Sequence, residues 1–182
     1  MKILGLDIST SCTGWCVLDS QGEIVDIGYV DLSKVKGLFQ KSLIVEDKII
    51  ELDKIHKIKR VFVEENLQSF RSGFSSAQTI STLAKFNGIV SFVCYKIFKI
   101  EPEFFNVNRA RKMLGIKIVR KKDCGLPTKE QLMLWAKENV SYEWPLKKIK
   151  SGPRKNQIVS DPRSYDMVDA YIVSRAGFES CK

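Results

Sequence analysis

Histidine is almost missing from this sequence: His56 is the only one among 182 residues. It lies in a lysine-rich helical stretch and reads as surface or helix-end decoration, which excludes chemistry built on histidine. Cysteine offers no framework either. Cys12, Cys16, Cys94, Cys124 and Cys181 are odd in number and scattered, with no C-x-x-C pair. Such a pattern argues against a disulfide scaffold or a zinc site and fits reduced thiols in a cytosolic compartment. Long apolar runs are lacking too. The strongest, residues 88–95, falls far short of the roughly 20 residues needed to span a bilayer. The opening MKILGLDIST meets an acid at Asp7, so it reads as a strand and not as a secretion signal. No internal repeat or low-complexity segment is visible. The expectation is one soluble, cytoplasmic domain over residues 1–182, with no membrane partner and no small-molecule substrate.

What is present is positive charge in one place. Hydrophobic residues make up 44% and charged residues 28%, an ordinary globular balance, and the formal net charge is +9. Residues 109–155 hold 14 Lys or Arg against 4 Asp or Glu, whereas the rest of the chain is close to neutral. A segregated excess of this kind points to a polyanion, because each neutralised phosphate releases condensed counterions. Arg109, Arg111, Lys112, Lys121, Lys122, Lys148 and Lys150 are the candidate nucleic-acid contacts.

Patterning predicts strands over residues 3–7, 14–19 and 24–32, joined by the turn residues Asp19-Ser20-Gln21-Gly22-Glu23, which makes an antiparallel meander. Helical spacing runs over 38–58 and 76–98, with short strands at 60–64 and 104–107. Further helices are expected at 109–114 and at 128–139, the latter with Thr128 as N-cap. Residues 147–156, basic and broken by Gly and Pro, read as a mobile loop. The last helix is punctuated by Asp161 as cap, Pro162 at its first position and Gly177 past its end. This order predicts an α/β (α+β) fold: a mixed five-stranded sheet with three antiparallel N-terminal strands, flanked by helices.

Four acids stand where metal-assisted phosphodiester hydrolysis would use them. Asp7 ends the first strand, Glu64 ends the fourth, and Asp166 and Asp169 share a face of the last helix. Two divalent ions about 3.5–4 Å apart can activate a water and stabilise both the entering and leaving oxygens. Magnesium prefers oxygen ligands and keeps several waters, so a few carboxylates suffice. Each acid alone has a bland reading as a turn, cap or surface residue, and Glu65 competes with Glu64. Only the combination carries weight.

These residues resemble a known family. Residues 4–18, LGLDISTSCTGWCVL, are similar to the opening of RuvC-type Holliday junction resolvases: an apolar strand, an Asp, a small-residue turn, then Thr-Gly leading a second strand. Val61-Phe62-Val63-Glu64-Glu65, followed after a loop by Ala77-Gln78 and a helix containing Gly88, resembles the family's second-acid segment. Asp166-Met167-Val168-Asp169-Ala170 resembles its final two-acid motif. The resemblance implies an RNase H-like fold, a homodimer, two magnesium ions per active site (with manganese as a substitute), and paired symmetric nicks across a four-way DNA junction. It implies Asp7, Glu64, Asp166 and Asp169 as catalytic metal ligands and places Lys129 near the scissile phosphate. In the loop after the second acid, Leu67, Phe70 and Phe74 would stack on or wedge into opened base pairs, with Arg71 on phosphate. The alternative is that these apolar side chains pack back onto the domain. Two departures, Ile8-Ser9-Thr10 where the family usually has Pro-Gly-Ser and an expanded basic loop at 147–156, mark a divergent branch of bacterial or phage origin.

Rival readings are a nuclease preferring flaps, Y-structures or RNA–DNA hybrids, a non-catalytic junction binder, and an ATP-binding domain. The last arises because Asp7-Ile8-Ser9-Thr10-Ser11 also resembles the first phosphate-binding segment of sugar kinases and actin-like ATPases. Those proteins need two lobes and a later glycine-rich adenosine loop, and no such loop occurs here.

Overall fold

Three consecutive strands open the computed structural model, which describes residues 1–65 and 77–182. They are β1 (Ile3–Asp7), β2 (Cys12–Leu18) and β3 (Ile24–Asp31), paired antiparallel in sequence order. The β2–β3 turn is fixed by Asp19, whose Oδ1 accepts the N–H groups of Gln21 at 2.9 Å and Glu23 at 3.0 Å, while Gly22 supplies φ 84°. Helix α1 (Leu38–His56) stops where Lys57 turns left-handed, and β4 (Arg60–Glu64) returns parallel to β1. Helix α2 (Ala77–Phe98) then leads to β5 (Glu103–Phe105), parallel to β4. The sheet order is β3-β2-β1-β4-β5, the mixed five-stranded arrangement expected from the sequence.

Strand alternation sorts the core into two layers. Leu4, Leu6, Val61 and Val63 face the layer built by α1 and α2. Ile3, Cys16 and Phe62 face the other layer. It is built by α3 (Val107–Met113), α5 (Thr128–Asn139) and α6 (Ser164–Ser180), the short α4 (Lys121–Cys124) lying outside it. Helix α6 rests almost on the strand backbones, because the positions beneath it are glycines. A Cβ on Gly5 would lie 2.5 Å from the Ala170 carbonyl oxygen, and one on Gly14 only 2.0 Å from that of Asp166.

Several expectations need correction. Strand β2 begins two residues earlier than predicted, because Cys12 and Thr13 continue the ladder to Asp31 and Val30. Thr128 is not a capping residue: Pro127 holds the N-cap position and no side chain bonds there. Asp161 and Pro162 form a turn ahead of α6, where Asp161 Oδ1 accepts the Arg163 N–H at 2.9 Å. Gly177 lies inside α6, where a Cβ would meet the Phe62 ring at 2.3 Å, so it is a packing glycine and not a terminator. Residues 147–156 belong to a hairpin formed by β6 (Leu146–Lys148) and β7 (Ile158–Ser160). Its ladder extends past the strands, since Ile149 exchanges 2.9 Å backbone bonds with Asn156 and Gln157. The cue was hidden because Lys-rich strands carry no apolar alternation. His56 ends α1 as expected, but its Nε2 lies 2.9 Å from Asp26 Oδ2 on β3.

The glycine seat has a measurable consequence. Gly5→Ala is expected to lose about 1–3 kcal/mol in urea unfolding, the usual cost of overpacking. Gly88→Ala, mid-helix with nothing within 4 Å of the added Cβ, is expected to gain up to about 1 kcal/mol from helix propensity. Equal effects at the two positions would refute the close-approach argument.

Candidate active site

The parallel pairing of β1 and β4 runs Ile3↔Arg60 to Leu6↔Val63, so Asp7 and Glu64 are the next residues in step at adjoining strand ends. Alternation sends both to the α6 side, since Leu6 and Val63 point the other way. Glu65, one residue on, falls out of this phase. Asp7 is also paired with Gly14, the glycine over which the Asp166 backbone passes. One turn further along α6, Asp169 is buried. Sheet pairing and the glycine seat thus gather four acids from three separated segments.

Two cations enter the cluster. Lys129 Nζ, at the start of α5, stands 3.8 Å from Asp166 Oδ1, and its side chain is 60% exposed. Arg111 Nη2, on α3, stands 3.5 Å from Asp169 Oδ1, with the side chain only 17% exposed. Arg111 attracts Asp169, yet among the described residues neither Asp169 Oδ1 nor Arg111 Nε, both buried, meets a well-formed hydrogen-bond partner. Buried polar atoms are rarely left so, and these mark a place for a ligand. Cys12 on β2 lies beside the Asp166 carboxylate and helps to hold its proton affinity down. Asn87, buried in α2, donates from Nδ2 to the Glu64 carbonyl at 3.2 Å and fixes the end of β4.

Burial and crowding push every one of these acids upward. Asp7 is raised well above the usual carboxylate range, first by loss of water and then by the charges of Glu64, Asp169 and Asp166. Glu64 is pushed up to about 7, again by burial first and by Asp169 second, against the pull of Arg111 and Lys129. Asp169 and Asp166 are raised by burial and held down in part by Arg111 and Lys129 respectively. The donor set is all oxygen, and the repulsion is of the kind a divalent cation relieves. The group fits. Among the described residues no three acids are already drawn around a single point, as expected of like charges balanced only by a lysine and an arginine.

Of the residues singled out from the sequence, Asp7, Glu64, Asp166, Asp169 and Lys129 come together here. Arg111 joins them instead of the open basic surface, because α3 packs against α6 and brings it to Asp169; the Asn106 side chain, accepting from Asn108 and Arg109, starts that helix two residues earlier than expected. Arg109, Lys112, Lys121, Lys122, Lys148 and Lys150 are exposed. Lys121 and Lys122 sit on α4, whose flanks are pinned to α5 by Gln131, bonded to Val119 on both sides of its amide and to the Leu126 carbonyl. Leu67, Phe70, Arg71 and Phe74 lie outside the described residues. Asn87 and Cys12 were missed by sequence reasoning. A lone Asn in an apolar helical stripe was the available signal for the first, and nothing marked the second.

The raised acids make the site a source of instability. A carboxyl that holds its proton more tightly when folded stabilises the fold at low pH, and the advantage is lost as pH rises. For Glu64 that window runs from its ordinary value of 4.5 to about 7. Metal-free protein is therefore expected to melt at lower temperature at pH 8 than at pH 5.5. Glu64→Gln should melt higher than the parent at pH 8, with the gap closing towards pH 4.5. A parent whose stability climbs across that window would contradict the assignment.

Known proteins resemble this chain in sequence and in fold. No family model matches the chain. A curated relative, the crossover junction endodeoxyribonuclease RuvC of Aliarcobacter butzleri, is 28% identical over 151 residues, which cover 82% of this chain and 90% of that protein. Among solved structures, Thermus thermophilus RuvC in complex with a Holliday junction substrate is similar with a TM-score of 0.64 at 14% identity, covering 100% of this chain and 95% of the other. The yeast mitochondrial Holliday junction resolvase Ydc2 is similar with a TM-score of 0.54 at 12% identity, covering 97% and 77%. These likenesses establish the RNase H-like fold. In sequence over most of its length, and in the fold of its described residues, the chain is similar to RuvC proteins.

Proposed function

We propose that this chain is a divalent-metal-dependent endonuclease that resolves four-way DNA junctions. The observation that carries the proposal is the convergence of Asp7, Glu64, Asp166 and Asp169, with Asp169 Oδ1 buried and lacking a hydrogen-bond partner among the described residues. The curated relative is itself a crossover junction endodeoxyribonuclease, which supports the same reading.

Asp7, Glu64, Asp166 and Asp169 would hold two magnesium ions. When bound, such a pair supplies an activated water and neutralises charge on the entering and leaving oxygens. The chain's own side chains do the positioning. Arg111, largely buried, holds the Asp169 carboxylate in place. Lys129, mostly exposed beside Asp166, is free to take a phosphate oxygen of the strand being cut. Arg109, Lys112, Lys121 and Lys122 contact phosphates of the arms, giving affinity without sequence information. Paired nicks need two such sites, hence a homodimer. The exposed Phe92 (64%) and Tyr95 on α2 offer an apolar face for it. The setting is bacterial or phage-infected cytoplasm.

A panel of labelled four-way junction, flap, duplex and RNA–DNA hybrid, with magnesium or with EDTA, tests the reading. Symmetric nicking of the junction only with metal is expected; preference for a flap or a hybrid would reassign the substrate. Asp7→Asn should lower the cleavage rate more than about 100-fold while junction binding stays intact or tightens, because repulsion of phosphate falls. Wild-type nicking by that variant would remove Asp7 from the site.

A further inference from the structure

The hairpin spanning residues 146–160 is not needed to build the carboxylate cluster, and its chemistry is one-sided. It carries Lys147, Lys148, Lys150, Arg154 and Lys155 and no acid at all. Among the described residues none of these five cations has an ion-pair partner, and all five are exposed. Concentrating unpaired like charge on a two-stranded ribbon opposes folding, so the charge calls for a function outside the fold.

The register shows what each face is for. Leu146↔Ser160 and Lys148↔Ile158 share one face, and Lys147↔Val159 the other. The Val159 face is turned inward, and Ser160 at the ribbon's root joins it: with Arg154, Leu126, Glu130 and Met133 they line a groove of about 490 Å³ between the ribbon and α5. The opposite face is left open, with Leu146 59% and Ile158 69% exposed around Lys148. Two aliphatic side chains ringed by cations suit a surface that offers phosphates at its edges and base edges or methyl groups between them. A duplex major groove, about 12 Å wide, admits a two-stranded ribbon.

The root of the ribbon is tied to the site. Pro145 O accepts from Asp161 N at 2.9 Å and from Ser164 Oγ at 3.1 Å, next to the start of α6. Lys137 Nζ reaches Ser160 Oγ at 3.1 Å. Lys137 lies eight residues along α5 from Lys129, about 12 Å of helix. Ile158 is eight residues from Asp166 along the chain, a span of at most about 29 Å. The Leu146–Lys148–Ile158 face therefore stays within roughly one duplex turn, about 34 Å, of the carboxylates.

We propose that this hairpin is a cationic ribbon arm that docks its Leu146–Lys148–Ile158 face on the duplex of one DNA arm, away from the cut and up to about one turn from it. The proposal rests on the nuclease reading above and adds a second, separate DNA contact to it.

The test is equilibrium binding of full-length protein, in EDTA and across a salt series, to four-way junctions with arms of about two duplex turns or about half a turn. The first variant combines Lys148→Gln, Lys150→Gln and Lys155→Gln, all at exposed positions outside the groove. On long arms it should bind about tenfold or more weakly, and the slope of log affinity against log salt should shrink by about 0.9 for each phosphate no longer neutralised. On short arms the variant and the parent should converge. The second variant, Leu146→Ser with Ile158→Ser, should weaken long-arm binding with the slope unchanged, because apolar groups release no counterions. Unchanged affinity and slope on long arms would overturn the proposal and turn the ribbon towards another partner, such as an acidic protein. An equal loss on long and short arms would overturn it as well, by placing the cations at the branch point. A parent protein that cuts junctions while either result holds loses only the ribbon proposal; a parent that binds no branched DNA loses both.

Discussion

How closely α6 can approach the sheet decides everything else about this molecule. Side chains on β1 and β2 would hold a helix at an ordinary packing distance, and the acids on its first two turns would then be wetted surface groups. With Gly5 and Gly14 beneath it, the helix settles onto strand backbone. Asp166 and Asp169 are carried into the space above the ends of β1 and β4, where Asp7 and Glu64 already point. Water is displaced from four carboxylates at once. Their raised proton affinities follow from that displacement first and from mutual repulsion second. The site is thus built at a cost to the fold, as functional clusters usually are.

The two basic groups in the cluster are not equivalent. Arg111 is sequestered, and its guanidinium works as a fixed counter-charge to Asp169. Lys129 stands on the rim, mostly in water and only loosely paired with Asp166, where an incoming phosphate can recruit it. A buried Arg beside the inner acid and an exposed Lys beside the outer one divide the cluster into a structural side and an open side. The open side looks out past the C-terminal ends of β1 and β4, the edge at which parallel strands commonly present ligands.

Charge segregation in the sequence becomes spatial division in the fold. The basic segment supplies Arg111 to the interior and Lys129 to the rim. Lys121 and Lys122 ride on a short helix that Gln131 clamps in place, and five cations occupy the hairpin. One stretch of chain therefore serves as counter-ion, as rim and as outlying surface, and only the last two roles suit contact with a polyanion.

The five strands of the main sheet, the order of the elements that join them, the four acids that the structure brings together and the surplus of positive charge were readable from the chain. They follow from local rules: alternation, helical spacing, turn residues and the company that each acid keeps. Three things could not be read that way. Gly177 looked like a terminator because its neighbour in space, Phe62, lies more than 100 residues away in sequence. The hairpin looked like a loop because lysines on a two-sided ribbon erase the period that marks a strand. Arg111 looked like one more surface cation because nothing local distinguishes it from Arg109, which instead lies over the Phe105 ring. The sequence by itself determined which residue types stand at the strand ends and on the last helix. Tertiary structure alone decided that they meet, since proximity between distant segments depends on how closely two backbones can approach, and no local pattern records that distance.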